Sequence, residues 1–534
     1  MNGSRNGIDM PYQPPPHTMQ HWAVSKPAAR GRRGIVAAQA RDAAEAGLAV
    51  LEAGGNAADA AVATAFALAA VEPWNTGLGA TGFALIHEAG ATHAEVVDFG
   101  PVAPRALRPE RFALTGRMQQ ELFAWPEVEN DANIHGPLSF VIPSAVAGYA
   151  ALSERWGRLP LTEVMAPAVA LARRGLSADW FTTLKISNSA ALLRLYPESA
   201  RLYLSGGLPP VIPYQGAPGF LSLGNLAATL DRLRHAGLSD FYAGEIAAGM
   251  VEDIRAIGGL IDAEDLRASA PRFRPAMELD WGGGRTLQLP GGLTASPTFA
   301  RVLELLHAKP TPKVPDADWY ALLARSLKSA YRERLAGIGD AEPKAAESCT
   351  THLTVVDSDG TMVALTSTLL SSMGSRVVLP GSGVLMNNGV MWFDPRPGRP
   401  NSMAPGKRPL CNMCPAIMRE GARARLAAGA SGGRRILPAM VQMLAFIADF
   451  GMDAQAAAHH PRIDVSGPDG ISADLRLAPP ILERLAEEGP LQLIEHAVLP
   501  PNFACPNLIE SRADGTRFGI SDVMSPGSAA LAQA

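Results

Sequence analysis

The chain has 534 residues, 47% apolar and 18% charged, with 47 Lys and Arg against 51 Asp and Glu for a net charge of −4. A chain this long and apolar buries a large core, either as about three domains or as one large α/β body, which excludes disorder as its main theme. Charge is nearly balanced and neither sign forms a block, so neither nucleic acid nor an anionic membrane surface is expected as a partner.

Residues 1–22 are rich in Pro, Gly, Asn and Gln and lack the apolar core of a signal peptide. Together with only four cysteines, Cys349, Cys411, Cys414 and Cys505, this leads us to expect a cytoplasmic protein with free thiols. The organisation expected is a polar tail over 1–30, a large region over 31–349 and a small region over 350–534. Residues 42–53 predict a helix stopped by Gly54-Gly55, and Asn56 is a good N-cap for a second helix over 57–71. That second helix is small and apolar nearly all round, which predicts burial between layers. Its apolar stretch, 60–71, is too short for the ~20 residues of a membrane span.

A strand is predicted at 83–86, and residues 139–335 read as mostly helical. At Glu347 the texture changes to β-type patterning rich in Thr and Ser, the best internal boundary. Residues 350–356, the turn Asp357-Ser358-Asp359-Gly360 and residues 362–368 form a predicted hairpin. Setting Val356 opposite Thr361 brings Thr350 and Thr368 face to face within one residue, so two hydroxyls meet at the strand end. Thr is also simply a good strand former. A Pro-rich loop follows over 394–409, then a short strand at 424–428, a glycine turn, and a helix over 438–450.

Two further constellations could carry chemistry. Gly429-Ala430-Ser431-Gly432-Gly433 fits the G-x-S-x-G nucleophile elbow, and the same glycines fit a nest of backbone N–H groups at a helix N-terminus, suited to an oxyanion. Cys411-Asn412-Met413-Cys414 is a lone C-x-x-C without a second pair at zinc spacing. No nucleotide-binding or H-E-x-x-H motif occurs, so neither cofactor nor metal is expected.

Taken together, several segments resemble the γ-glutamyltranspeptidase family of N-terminal-nucleophile hydrolases. They are Gly34-Ile35-Val36-Ala37-Ala38, Glu45-Ala46-Gly47, Gly54-Gly55-Asn56-Ala57-Ala58-Asp59, Val71-Glu72-Pro73, residues 143–148, Thr350-Thr351-His352 with the preceding Glu347-Ser348, residues 383–388, Lys407-Arg408-Pro409-Leu410 and Gly432-Gly433. The resemblance implies an α/β fold, a four-layer αββα sandwich built from both halves of a precursor. It also implies self-cleavage between Cys349 and Thr350, giving a heterodimer of two subunits that can pair again into a dimer. Thr350 would be the nucleophile, its freed α-amine (pKa ≈ 7.7–8.0) the base, Thr368 its hydroxyl partner, and Gly432 and Gly433 the oxyanion hole.

Recognition residues depart from the transpeptidase pattern. Gly100 stands at the arginine position, Leu370 at the asparagine, Trp392 at the acidic residue, and Cys411 and Asn412 at the paired serines. Losing every anchor for an amino-acid head points away from γ-glutamyl substrates. The altered segments resemble the oxamate amidohydrolase branch, which implies hydrolysis of a small amide, oxamate, to oxalate and ammonia. Arg376 is the candidate cation for the carboxylate, against the simpler possibility of a surface arginine. With Leu370, Trp392 and Asn412 it makes up the expected substrate pocket. Retained γ-glutamyl chemistry and an inactive binding protein of the same fold are the alternatives.

Overall fold

A computed structural model describes residues 24–119, 125–338, 349–467, 469–499 and 501–534. The Glu347-Ser348 segment and the boundary placed there lie outside the described residues, as does most of the polar tail. Ala29–Gly31, at the end of the stretch expected as tail, is already an edge strand.

Two seven-stranded sheets stack face to face. One runs, in spatial order, Ala529–Ala532, Ile35–Ala38, Cys349–Val356, Met362–Leu370, Thr81–His87, Glu95–Phe99 and Arg272–Pro275. The other runs Ala29–Gly31, Arg517–Ser521, Cys505–Ser511, Arg423–Ser431, Ala416–Glu420, Arg285–Leu289 and Met277–Gly282. Both sheets contain strands from before and from after residue 350. The two regions of the chain therefore share one body, and neither owns a sheet.

Side-chain alternation of period two sorts the strands between layers. Val36, Leu353, Val355, Val363 and Leu365 face helices Arg41–Glu52, Ala57–Val71 and Ala145–Trp156. Their neighbours Ile35, Ala37, Val356, Met362 and Ala364 meet Ile417, Ala427 and Ile509 of the opposite sheet. Beyond that sheet lie helices Ser296–His307, Ala317–Ile338 and Ile436–Ala448. The result is the expected four-layer αββα sandwich. Among the described residues, no helix is long and apolar enough to cross a membrane.

Local signals act as the residues dictate. Asn56 closes a capping box: its side chain accepts from the Asp59 N–H (3.1 Å), and its own N–H donates to Asp59 Oδ2 (3.0 Å). The helix so started is buried along nearly its whole length. One stretch departs from expectation. Arg272–Pro275, Met277–Gly282 and Arg285–Leu289, inside the span read as mostly helical, are strands at or near the sheet edges. Their charged, partly exposed residues hide the apolar signal that a central strand would show.

The hairpin forms with Val356 opposite Met362 and Thr351 opposite Ser367, one residue off the simplest register. Asp357 causes the shift. Its N–H donates to the Thr361 carbonyl (3.1 Å), and its Oδ1 accepts from the N–H groups of Asp359, Gly360 and Thr361. Thr361 thus joins the turn, leaving a three-residue loop with Gly360 at φ +99°, a hairpin with glycine in the left-handed position.

Candidate active site

Between Thr351 and Cys349 the ladder slips by one residue, so Cys349 lies opposite Leu370 and Thr350 sits at a bulge. The Thr350 hydroxyl donates to Thr368 Oγ1 at 3.2 Å, and both residues are buried. Thr368 Oγ1 also accepts the Leu370 N–H (2.8 Å). Leu370 stands at φ +85°, a left-handed conformation that costs a leucine about 1–3 kcal/mol, and this hydrogen bond helps to hold it there.

The next inward-facing residue, His352, fills the space between the sheets. Its ring nitrogens meet Thr366 Oγ1 (2.8 Å) and Thr354 Oγ1 (3.0 Å), and burial lowers its pKa to about 3, so the imidazole is neutral. Gly429 of the opposite sheet lies against that ring, where a Cβ would collide with the imidazole. Gly429→Ala is therefore expected to destabilise the protein by about 1–3 kcal/mol, as overpacking a tight core does, measured by denaturant unfolding. Unchanged stability would mean that the two sheets can separate at this point.

Gly432 (φ +135°) and Gly433 (φ +59°) follow Ser431 at the end of its strand and lead through a short 3-10 turn into helix Ile436–Ala448. A side chain at Gly432 would strike Ala504, so both the conformation and the packing require glycine. Neither N–H donates to a protein acceptor among the described residues. The arrangement is an N–H nest at a helix start, able to hold an oxyanion. Ser431, the elbow candidate, receives a hydrogen bond from Gln39 Nε2 (2.5 Å). Among the described residues it has no histidine partner, and without one an elbow serine lacks its base.

A narrow cleft of about 60 Å³ opens beside Gly432, lined also by Gln39, Glu72, Asn75, Lys185 and Ser431. Glu72 lies beneath it, buried, with burial pushing its carboxyl up to about 7 against hydrogen bonds from Thr351 and Asn75.

Leu370, Trp392 and Cys411 come together in one buried apolar cluster with Phe83, Trp125 and Met391. Gly100 packs against Arg408, whose guanidinium pairs with Asp98, and a Cβ at Gly100 would collide with that guanidinium. Asn412 Oδ1 accepts from Arg334 Nη2 (3.0 Å), which also donates to the Cys411 carbonyl (2.8 Å). Arg334 went unread because it sits on a distant helix. Arg376 is buried, not a surface residue. Its Nη1 donates to the Gly374 carbonyl (2.7 Å), Ser371 Oγ (2.9 Å) and the Ile134 carbonyl (3.4 Å). The Cys411 and Cys414 thiols are pushed up to about 12 by burial, so neither is a ready thiolate.

Known proteins match this arrangement over most of the chain. The γ-glutamyltranspeptidase family model matches residues 43–349 and 341–532. The chain belongs to the γ-glutamyltranspeptidase family. Acylase ACY 1 proenzyme of Pseudomonas sp. (strain SE83) is 30% identical over 491 residues, covering 85% of this chain and 86% of that relative. Glutathione hydrolase proenzyme of Escherichia coli (strain K12) is 28% identical over 549 residues, 93% and 91% of the two chains. The crystal structure of cephalosporin acylase from Bacillus halodurans superposes with a TM-score of 0.83 at 22% identity, over 96% of this chain and 98% of that one, and shares the fold. The chain is thus an N-terminal-nucleophile enzyme of the amidohydrolase and acylase kind. The word proenzyme in the relatives' names fits a precursor cleaved into two subunits.

Proposed function

We propose that this protein cuts itself between Cys349 and Thr350 and then hydrolyses a small carboxylate-bearing amide, oxamate, to oxalate and ammonia. The Thr350 hydroxyl first attacks the Cys349 carbonyl; the peptide C–N bond breaks, which frees the Thr350 α-amine and leaves Cys349 as an ester on Oγ1, and water then cleaves that ester to a Cys349 carboxylate and the free hydroxyl. In turnover that amine takes the hydroxyl proton as Oγ1 attacks the amide carbon. The C–N bond breaks, the proton passes to the departing ammonia, and water releases oxalate from the acyl-threonine. Gly432 and Gly433 hold the oxyanion.

The observation that carries the substrate assignment is the apolar cluster. Leu370, Trp392 and Cys411 fill one buried volume where transpeptidases place polar anchors, and Arg408 crowds Gly100. A volume filled by these apolar side chains offers a zwitterionic amino-acid head no charge partner there. Arg376, whose Nη1 reaches Ser371 and Ile134 at the edge of the cluster, is the residue we assign to the carboxylate, and Asn412, held by Arg334, is assigned to the same substrate. A cytoplasmic location belongs to the same proposal and is favoured by the free thiols of Cys411, Cys414 and Cys505.

The test is a panel of oxamate, glutathione, γ-glutamyl anilide and an N-acyl amide on the purified, processed protein. Oxamate is expected to exceed the γ-glutamyl compounds by about 100-fold or more in kcat/KM, because an apolar wall cannot replace a buried charge partner. Comparable turnover of γ-glutamyl anilide would return the protein to glutathione chemistry, the activity named for the Escherichia coli relative. Preference for the N-acyl amide would place it with the acylases.

A further inference from the structure

Glu72 follows helix Ala57–Val71 as its C-cap and is buried. Its Oε2 accepts from the Thr351 hydroxyl (2.6 Å) and its Oε1 from Asn75 Nδ2 (2.7 Å). The Asn75 backbone carbonyl accepts the Leu369 N–H (3.0 Å), next to Thr368. Asn75 Nδ2 also lies 3.4 Å from Gln39 Oε1, and Gln39 in turn donates to Ser431, which precedes Gly432. One carboxyl thus sits at the centre of a hydrogen-bond chain touching three segments. They carry the nucleophile, its hydroxyl partner and the oxyanion glycines. By strand alternation Thr351 points to the helix side and Thr350 toward the opposite sheet, so Glu72 acts through the backbone of the nucleophile strand.

We propose that Glu72 is the positioning residue of this site, fixing the three segments relative to one another as a carboxylate and loosening them when it is protonated. The proposal rests on Thr350 being the nucleophile. An ionised carboxyl accepts charge-assisted bonds from both Thr351 and Asn75, whereas the protonated acid must turn its O–H onto Thr351 Oγ1 to keep the Asn75 bond, which reverses the first bond and reduces both to weaker, neutral ones. Burial places the change near neutrality, at about 7. The charged and titratable groups around the cleft are Lys185 on helix Trp180–Leu193, Arg435 in the turn after Ser431, and Cys505. The Thr350 α-amine joins them once it is freed. Lys185 favours the carboxylate form.

The experiment is the pH dependence of kcat/KM for the processed native protein, Glu72→Gln and Thr351→Val, on whichever amide of the panel the native protein turns over. Two groups must lose protons in the native protein, Glu72 near 7 and the α-amine near 7.7–8.0. The logarithm of kcat/KM should therefore fall with a limiting slope of two on the acid side. In Glu72→Gln the slope should be one, with kcat at pH 8 reduced about 10- to 100-fold and KM changed less than about threefold, the pattern of a lost positioning interaction. Thr351→Val removes a hydrogen bond that favours the carboxylate, so its acid limb should move to higher pH. It also serves if the glutamine variant does not fold. A slope of two in Glu72→Gln, or an unmoved limb in Thr351→Val, would overturn the proposal. A wrong nucleophile assignment would show separately, in the fragment masses of the native protein before any variant is made.

Discussion

Thr350→Ala is expected to leave a single chain of 56.1 kDa with no detectable amide turnover. The native protein should instead run on a denaturing gel as fragments of 349 and 185 residues, about 37 and about 19 kDa by their share of the chain. Both losses come from one atom, because Oγ1 attacks the Cys349 carbonyl in processing and the substrate in turnover. In a working hydrolase, removal of the nucleophile costs about 10⁴- to 10⁶-fold in kcat. Processing should not separate the fragments under native conditions, since strands from both sides of residue 350 are hydrogen-bonded to one another in both sheets. Thr350→Ser keeps the hydroxyl and should cleave. Intact mass spectrometry showing a cut elsewhere, or normal cleavage in Thr350→Ala, would refute the assignment.

How far the sequence carried these conclusions depended on the range of the interaction involved. The hairpin, the Asn56 N-cap and the glycine turn are written in residues a few positions apart, and each formed where expected. The Thr350–Thr368 pair was legible for the same reason, since a short turn fixes which residues face each other. Even there the register moved by one because Asp357 drew Thr361 into the turn. Strands 272–289 were missed because edge strands need no apolar face. Glu72 and Arg334 were unreadable for a different reason. Glu72 lies in the Val71-Glu72-Pro73 segment that resembles the family, but it meets Thr351 across 279 positions of sequence, so neither its burial nor its partner could be read locally. Arg376 was legible as a cation but not as a buried one. Its φ of +64° turns its backbone out of the path that an extended strand would take, and one of its Nη1 partners, the Ile134 carbonyl, lies 242 positions away.

Thr368→Val is expected to lower kcat about 10²- to 10³-fold, as loss of one well-placed hydrogen bond in a water-poor site does, and to slow self-cleavage alongside it. The substitution preserves shape and removes the oxygen. The Thr350 hydroxyl then loses the acceptor 3.2 Å away that fixes its direction, and the Leu370 N–H loses its 2.8 Å partner. An unsatisfied buried donor costs about 1–3 kcal/mol, and here the penalty falls on a leucine already held at φ +85°. The chain should respond by relaxing at Leu370, one of the residues that wall the apolar cluster, so KM should rise as kcat falls. Thr368→Ser separates the hydrogen bond from the packing, because it keeps the oxygen and deletes the methyl. If the oxygen is what matters, serine restores cleavage and most of the turnover while valine does not. The decisive measurement is a time course of fragment formation by mass spectrometry, with kcat determined on the processed fraction of each variant. Valine and serine behaving alike, or valine turning over within tenfold of the native protein, would show that Thr368 is a strand residue only and that Thr350 is oriented by something else.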